Sequence, residues 1–337
     1  MKYTLFKLRF TSAVHFGAGG LTTTANTLMA DTVFSALCTE AVKSGQDPAP
    51  LVDAVMGGRL RISDALPFIG DRFYVPKPLA EITTDKEVDS SVKKSLKKLS
   101  FVPIDGLSAY MSGTMDIDKE ARILTGCLGQ EYLAEKAAVE TGEEARPYAV
   151  DLYRYHENSG LYICLGYERN EDHDRFRECL RALSYAGIGG KTSAGYGRFV
   201  VEAARPGKQF EERLCGGELR GAGLSGAELR GEDLSSAGLQ CGEPQKNWQQ
   251  YMSLSVAIPA PLEMAGIMDS ANIRVVKRSG WVTPASDAEF VRKRRDVYMF
   301  AAGSVFGKPF RGCMFDLQEG EGHPVLRYGY PMLVGVK

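Results

Sequence analysis

Cysteine patterns that hold metals are missing from this sequence. Its 337 residues include seven cysteines, an odd number, and no two of them form a C-x-x-C pair. This spacing argues against a zinc site and indicates free thiols in a reducing cytoplasm. We therefore predict neither a metal site nor a cofactor.

Long apolar runs and an excess of charge of either sign are also missing. No apolar stretch approaches the roughly 18 residues that a membrane-spanning helix needs. Residues 1–4 alternate polar and apolar side chains and do not form a signal-peptide core. We expect a cytoplasmic protein that contacts no membrane. Because the sequence has 41 basic and 42 acidic residues, its net charge is close to zero, and any nucleic-acid surface must be a local patch.

Glycine, by contrast, is concentrated in residues 187–199, which read GIGGKTSAGYGRF. Each glycine costs roughly 0.5–1 kcal/mol relative to alanine on folding. Such a run is therefore expected only where the backbone takes left-handed angles or something approaches it closely. The other side chains are cations, hydroxyls and one aromatic ring, which suit phosphates and stacked bases. They are Lys191, Thr192, Ser193, Tyr196 and Arg198.

Two other interpretations of this glycine loop have to be weighed. Gly190, Lys191 and Thr192 match the end of a P-loop, G-x-x-x-x-G-K-[ST], but the first glycine of that motif would fall on Tyr185. A P-loop must also open a helix, which the glycines that follow would break. A flexible connection without a ligand remains an open alternative.

An alternation of strands and helices indicates an α+β fold. The predicted order is a strand at 3–10, a helix from Asp31, a hairpin at 60–75, strands at 148–155 and 161–167, a helix, the glycine loop and a strand from Phe199. In the first strand Phe6, Leu8 and Phe10 share one face. Asp31 is a plausible acidic cap of the first helix. Without an insertion at about 79–146, residues 1–204 have the βαββαβ order of a ferredoxin-like domain.

The insertion contains a candidate basic helix and a polar segment. Apolar residues recur at i, i+4 and i+7 from Val92, and the lysines on the opposite face include Lys93 and Lys97. These lysines fit either an ordinary solvated face or a basic finger that contacts an RNA backbone. Residues 130–145 are polar, and we expect a mobile loop there.

Residues 205–246 mark a boundary between two domains. Leucines recur every five residues between 219 and 239, which is similar to a pentapeptide-repeat pattern, although a Gly-rich linker is the preferred interpretation. Strands outnumber helices in the second domain, 247–337. Its residues 277–281 form a basic turn with an aromatic ring.

The glycine loop, following a helix, resembles the signature loop of the RAMP superfamily of CRISPR-associated RNA-binding proteins. Four more segments resemble the subunit that caps the crRNA 5′ tag in the type III-A (Csm) interference complex. They are VHFG at 14–17, ADTVFSAL at 30–37, AGSVF at 302–306 and HPVLRYGY at 323–330. The resemblance covers about 1–204 and 247–337 and leaves the leucine-rich segment out.

This resemblance implies two ferredoxin-like (RRM-like) RAMP domains with antiparallel sheets, and a thumb-like hairpin at about 79–125 that kinks the guide. It also implies a place at the foot of a ribonucleoprotein, where the chain would grip the 5′ tag. The implied partners are the crRNA, a target RNA passing nearby, the large polymerase/cyclase-like Csm subunit and the backbone RAMP subunits.

The candidate RNA-binding residues are His15, Phe16, Gly17, Gly187, Gly189, Gly190, Lys191, Thr192, Ser193, Tyr196, Arg198, Lys93 and Lys97. In this prediction the glycine backbone contacts phosphates, which Lys191 and Arg198 neutralise. The rings of Tyr196, Phe16 and His15 offer faces for unstacked bases. His15 could instead hydrogen-bond within its own loop.

We predict a binding subunit without enzymatic activity. Relatives in the superfamily that process crRNA use a histidine general base near the first strand, and His15 is the only candidate so placed. A metal-independent crRNA-processing endoribonuclease is therefore the alternative function. Asp31 could also have the target-cleaving role of an aspartate in the backbone subunits, but its place at a helix start favours a cap.

Overall fold

The computed structural model describes residues 1–80, 96, 99–138, 146–216, 248–280, 293–318 and 324–337. The predictions for Lys93, Lys97 and the leucine-rich segment at 219–239 lie outside these residues. Five cysteines of the described residues are free thiols, as predicted: Cys38, Cys127, Cys164, Cys179 and Cys313.

Helices and strands are mixed along the chain, and the strand pairings among the described residues are antiparallel. The helices are α1 (Ala30–Lys43), α2 (Ala49–Met56), α3 (Leu107–Met111), α4 (Ile117–Cys127), α5 (Asn170–Ala186), α6 (Lys208–Gly216) and α7 (Met264–Met268). The strands are β1 (Lys2–Phe10), β2 (Phe16–Gly20), β3 (Thr23–Ala25), β4 (Leu60–Ile62), β5 (Leu66–Ile69), β6 (Arg72–Pro76), β7 (Phe101–Pro103), β8 (Gly129–Ala138), β9 (Arg146–Tyr155), β10 (Ser159–Tyr167), β11 (Phe199–Ala204), β12 (Tyr251–Ser253), β13 (Val275–Arg278), β14 (Val297–Phe300), β15 (Val305–Phe306), β16 (Phe315–Asp316), β17 (Leu326–Arg327) and β18 (Leu333–Gly335).

A seven-stranded sheet forms the centre of the molecule. Its order is β11-β1-β10-β5-β6-β7, and β4 also pairs with β10. β1 lies between β10 and β11, so that Leu5 faces Cys164 on one side and Ala204 on the other. The predicted hairpin at 60–75 is confirmed by β5 and β6, in which Ile69 pairs with Arg72 across the turn.

Apolar side chains cover both faces of this sheet. Along β1, Phe6 and Leu8 belong to one buried cluster and Leu5 to another, as the alternation of a strand requires. The predicted faces are therefore correct. Lys7, on the second face, is buried all the same and donates from Nζ to the carbonyl oxygen of Gly70 at 3.0 Å and to Asp71 Oδ1 at 3.1 Å.

Helices α1 and α5 cover the first face because their apolar residues recur at helical spacing. Their buried residues include Val33, Phe34 and Leu37 on α1 and Phe176, Leu180 and Leu183 on α5. The second face packs against α3, α6 and the strands β12, β15 and β18. These last three strands form a sheet of their own in the order β15-β12-β18.

The C-terminal part of the chain contributes to both clusters. Val256, Met299 and Tyr328 belong to the first, and Leu254 and Val334 to the second. The predicted strand at 251–258 ends at Ser253, after which Leu254 N–H donates to the carbonyl oxygen of Met332 at 2.7 Å. The regions before and after 205–246 therefore share one interior.

Strands β8 and β9 form a long hairpin outside the central sheet, with pairs from Gly129–Tyr155 to Ala138–Arg146. The prediction of a mobile loop at 130–145 is wrong for the described residues 130–138. The segment is polar overall, but its burial alternates as in a strand: Tyr132, Ala134 and Lys136 are half-buried and their neighbours are exposed. The hairpin predicted at 79–125 is also wrong for 99–125, where β7 is followed by α3 and α4.

Candidate nucleic-acid interface

The glycine loop starts where α5 ends, and it doubles back on itself. Ile188 N–H donates to the carbonyl oxygen of Gly197 at 3.0 Å. Gly187 and Gly197 both have left-handed backbone angles, with φ of 88° and 77°. A Cβ atom on Gly187 would lie 2.7 Å from the carbonyl oxygen of Tyr196, and one on Gly197 would collide with the carbonyl oxygen of Ile188. Both glycines are required by the crossing of two backbone segments.

The glycine loop is pinned to the segment that follows β1. Gly190 N–H donates to the carbonyl oxygen of His15 at 2.8 Å, and Gly197 N–H donates to that of Ala13 at 2.9 Å. A Cβ atom on Gly189 would lie 2.7 Å from the carbonyl oxygen of His15. The amides of Gly190 and Gly197 are thus occupied within the protein, and the prediction that they contact phosphates is corrected.

Lys191 has the only positive φ, 60°, among the described residues other than glycine. It precedes a short 3₁₀ turn, Thr192–Ala194, which ends at Gly195. Within this turn Thr192 is half-buried and Ser193 is exposed, and Arg198 is exposed beyond it. A left-handed lysine is strained, and such strain is found mostly at functional positions.

His15 is buried, with 5% of its surface exposed. Its Nδ1 lies 2.8 Å from the backbone carbonyl oxygen of Asp151 on β9. Since a carbonyl only accepts, Nδ1 carries a proton and donates it to this oxygen. The partner therefore belongs to the hairpin and not to the histidine's own loop, and the ring offers no face to a base.

Phe16 is 3% exposed and packs edge-on against Phe10, with ring centroids 5.9 Å apart. Its ring also lies under the glycine loop, 2.9 Å from the position of a Cβ atom on Gly189. The prediction that Phe16 stacks on a base is corrected, since the ring supports the loop from beneath. Gly17, the next residue, is exposed on β2.

The hairpin of β8 and β9 brings two further residues to the glycine loop. Lys191 Nζ lies 4.9 Å from the ring centroid of Tyr148, and Lys136 Nζ lies 5.2 Å from that of Tyr196. The hydroxyl of Tyr196 raises the pKa of Lys136 through a hydrogen bond. We call these four residues together with Arg198 the loop–hairpin surface.

The loop–hairpin surface has the chemistry of single-strand recognition, because it combines cations with aromatic rings. The sequence predicted Lys191, Tyr196 and Arg198 and missed Lys136 and Tyr148. The signal for the missed pair was the alternation at 132–136, which places Lys136 opposite Tyr148 in the register of the two strands. Lys191 and Tyr196 therefore each have a partner that is distant in sequence.

Asp31 does not cap α1. Met29 is at the N-cap position, and the N–H of Ala30 donates to Asp64 Oδ1 at 2.7 Å. The Asp31 carboxylate is fully buried and is bound by Arg278, at 3.0 and 3.1 Å, and by Arg327 Nη1. Both arginines come from the C-terminal part of the chain, and no local sequence pattern predicts either contact.

Asp64 supports the same end of α1. Besides Ala30 N–H, its Oδ1 accepts the N–H of Val256 at 3.0 Å. Burial raises the pKa of Asp64 to about 7, against the lowering effect of these two hydrogen bonds. Asp64 therefore joins the start of α1 to the strand region of the C-terminal part.

Within the described ranges, no group of three or more His, Cys, Asp or Glu side chains is placed to hold a metal ion. The helices in those ranges are all too short or too polar to cross a membrane.

Comparison with families of known proteins gives two matches. A model of the RAMP superfamily matches residues 7–200. A model described as the CRISPR Csm4 C-terminal domain matches residues 246–336.

Curated relatives align along the whole chain. The CRISPR system Cms protein Csm4 of Mycobacterium tuberculosis (strain CDC 1551 / Oshkosh) is 31% identical over 338 residues, which cover 100% of this chain and 98% of that protein. The protein with the same name from Streptococcus thermophilus is 28% identical over 342 residues, covering 98% of both.

Solved structures share the fold. A chain from the Csm3–Csm4 subcomplex of a type III-A CRISPR-Cas interference complex superposes with a TM-score of 0.63 at 18% identity, covering 100% of both chains. A chain from a Csm1–Csm4 cassette in complex with pppApA gives a TM-score of 0.58 at 20% identity, covering 100% of this chain and 98% of the other.

Proposed function

The chain belongs to the Csm4 family within the RAMP superfamily, and from this premise we propose that it is the non-catalytic crRNA-binding subunit of a type III-A interference ribonucleoprotein. In this role it grips the 5′ tag of the crRNA. The observation that carries the proposal is the loop–hairpin surface, where Lys136 and Lys191 lie against the rings of Tyr196 and Tyr148. Cations beside rings bind a single strand through its phosphates and its bases together.

The proposed partners are a large polymerase/cyclase-like Csm subunit and the backbone RAMP subunits. Chains of the same fold have been solved in a Csm1–Csm4 cassette and in a Csm3–Csm4 subcomplex. The chain would join the two kinds of partner at the foot of the ribonucleoprotein, with the target RNA passing nearby.

We also propose a division into RAMP domains. The run β11-β1-β10-β5, with α1 and α5 on one face, supports a ferredoxin-like domain at 1–204. The family match at 246–336 supports a second RAMP-like domain at 247–337. The hairpin of β8 and β9 is then the thumb-like element of the first domain, in place of 79–125, and 205–246 is the linker.

Absence of catalysis is part of the proposal. Asp31 is fully buried and bound by two guanidinium groups, so its carboxylate is not free to act on RNA. The alternative, an endoribonuclease using His15, would require that buried ring to reach a ribose hydroxyl. Incubation of the purified chain with repeat RNA should give no cut product. A discrete product that His15→Ala abolishes would establish the nuclease instead.

Charge removal on the glycine loop tests the binding function. Lys191→Ala/Arg198→Ala should weaken binding of tag RNA and should reduce the slope of log K against log salt by up to about 1.4, or about 0.7 per lost phosphate contact. The matched control is Arg175→Ala/Arg181→Ala, which removes two exposed charges from α5. Equal binding by the two double variants would contradict the proposal.

A further inference from the structure

Three arginines of the C-terminal part surround the start of α1. Arg278 donates from Nη2 to Thr32 Oγ1 at 2.6 Å in addition to its two bonds with Asp31. Arg327 binds the same carboxylate, and Arg294 lies close enough to Arg327 and Asp31 for both to affect its pKa. We call Arg278, Arg294 and Arg327 the arginine cluster.

Several donors of the arginine cluster have no acceptor. Arg327 is 5% exposed, and its Nε and Nη2 are buried without a hydrogen-bond partner in the described part of the chain. The Nε of Arg294 is also buried and has no hydrogen-bond partner among the described residues. A buried charged donor without an acceptor is costly, so native proteins rarely leave one. These three atoms on two guanidinium groups of the arginine cluster indicate that the site is completed by an acceptor outside the described residues.

The charges around the arginine cluster do not balance. Among the described residues, Asp31 is the carboxylate bonded to the arginines, and one carboxylate cannot neutralise three guanidinium groups. Asp64 is nearby, but burial raises its pKa to about 7, so part of it is protonated near neutral pH. Asp296 is paired with Lys277 at 2.8 Å. Burial lowers the pKa of Arg294 and the charge of Arg327 lowers it further, as expected of a crowded cation.

Two members of the arginine cluster are partly accessible. The Arg278 side chain is 22% exposed and Arg294 is half-buried, whereas Arg327 is buried. The oxygens of a phosphate bound to Arg278 and Arg294 would accept hydrogen bonds from the N–H groups of the planar guanidinium groups. Asp31 would then be a positioning residue, which holds Arg278 and Arg327 and does not touch the ligand.

We propose that Arg278, Arg294 and Arg327 form a phosphate-binding site for the same RNA strand that lies on the loop–hairpin surface. This inference rests on the proposed function and extends it to a second contact. The segment between the two sites is short. Thr24 bonds to Phe16 N–H at 2.9 Å beside the glycine loop, and Asp31 follows seven residues later, which spans at most about 25 Å. One strand of a few nucleotides can therefore reach both.

The test is fluorescence-anisotropy binding of single-stranded tag RNA to the full-length chain at several salt concentrations. Arg294→Gln removes one guanidinium that has no ion-pair partner among the described residues. The matched control is Arg295→Gln, which removes the same charge from the next, exposed residue. We expect Arg294→Gln to lower affinity about three- to tenfold near physiological salt and to reduce the salt slope by about 0.7, with Arg295→Gln close to wild type.

Two further arms define the ligand. Binding is compared for RNAs that carry a 5′-phosphate or a 5′-hydroxyl. If the arginine cluster binds the terminal phosphate, Arg294→Gln should weaken binding only of the 5′-phosphorylated RNA. If it binds an internal phosphodiester, Arg294→Gln should weaken binding of both RNAs. A series of single methylphosphonate linkages should contain one position whose neutralisation weakens the wild type and leaves Arg294→Gln unaffected. Inorganic phosphate that competed with RNA for the wild type alone would identify a site for free phosphate.

Arg294→Lys keeps the positive charge and removes the planar guanidinium group. If Arg294→Gln does not fold, this variant tests whether Arg294 contacts RNA. It should retain part of the affinity. If both variants bind RNA as Arg295→Gln does, the arginine cluster is not an RNA site. Should the Arg294 variants lose only association with a partner subunit, the missing acceptor is a protein carboxylate and the proposal fails. In either case weakened binding by Lys191→Ala/Arg198→Ala would leave the proposed function standing.

Discussion

Asp31 is the residue on which the start of α1 depends, because its buried carboxylate binds two arginines that come from far along the chain. Removing one partner of a buried ion pair leaves the other charge uncompensated. Asp31→Asn should therefore lower the free energy of unfolding by about 3–5 kcal/mol, measured by urea denaturation. Asp53→Asn on α2, which changes an exposed carboxylate, should have almost no effect.

The two roles considered for Asp31 predict different results. A catalytic aspartate would be replaceable without loss of stability and with loss of RNA cleavage. An Asp31→Asn protein as stable as wild type would contradict the structural role described above.

Asp64 makes stability depend on pH. Burial raises its pKa in the folded protein to about 7, from 3.8 in an exposed carboxyl. The folded state thus binds a proton more tightly, and this contribution is fully present below about pH 4 and lost as the pH rises through 7. Asp64→Asn keeps an oxygen that can accept both backbone bonds and removes the titration.

We expect Asp64→Asn to gain stability relative to wild type as the pH rises from 4 to 8, by about 1.4 kcal/mol per unit of pKa difference. Urea denaturation at closely spaced pH values would measure this difference. Asp53→Asn, at an exposed carboxyl on α2, is the control. A stability difference between Asp64→Asn and wild type that stays constant over this range would show that Asp64 titrates normally.

At the scale of single residues, the sequence identified Asp31 as a residue at the start of α1 but did not predict its contacts. Asp31 was interpreted as a cap because capping is a local rule. Its partners Arg278 and Arg327 lie 247 and 296 residues away, which no local pattern can encode. Phe16 and His15 were predicted to offer ring faces to bases, and both rings are buried, because burial depends on packing that a motif does not specify.

Among the elements, the glycine loop uses its glycines for two different reasons, which two alanine variants separate. Gly195 has φ of 87° and open space around it, whereas Gly197 has φ of 77° and no room for a Cβ atom. Gly195→Ala should cost about 1–2 kcal/mol from strain alone. Gly197→Ala should cost about 1–3 kcal/mol more, because the backbone of Ile188 must move.

Chemical denaturation of both variants measures these costs, and RNA binding at conditions of matched stability shows whether the loop–hairpin surface is disturbed. If Gly195→Ala proved as damaging as Gly197→Ala, close packing of the two loop segments would not be what requires glycine.

Local patterns were sufficient for most elements of the central sheet. The faces of β1 and the hairpin of β5 and β6 follow from apolar alternation and a Gly–Asp turn. The strand predicted at 148–155 is confirmed as β9, but its partner β8 was missed because residues 130–145 were interpreted from their polarity and not from their alternation. The alternation at 132–136 indicates a strand, but the pairing of Lys136 with Tyr148 follows only when the partner strand is known.

For the molecule as a whole, the shared interior predicts that the N-terminal part does not fold alone. Residues 1–246 without the rest would expose Leu5 and Phe68, which now pack in the same cluster as Leu254 and Val334. We expect this fragment to show no cooperative thermal transition. Co-expression of 1–246 with 247–337 as separate chains should restore one, and the two fragments should purify together.

A cooperative transition of 1–246 by itself, at a temperature close to that of the full chain, would mean that the C-terminal strands are dispensable for the interior. The division predicted from the sequence at 205–246 would then hold for folding as well as for the pattern of the chain.

Synthesis on the ribosome separates the two halves of this shared interior in time. Leu5 and Phe68 are synthesised early, whereas Met332 and Val334, which pack in the same cluster, are synthesised last. At about 5–20 residues per second, some tens of seconds separate the emergence of these two groups. During that interval an apolar sheet face waits uncovered, so the nascent chain is a natural client for a chaperone or for an early-arriving neighbour in the assembly.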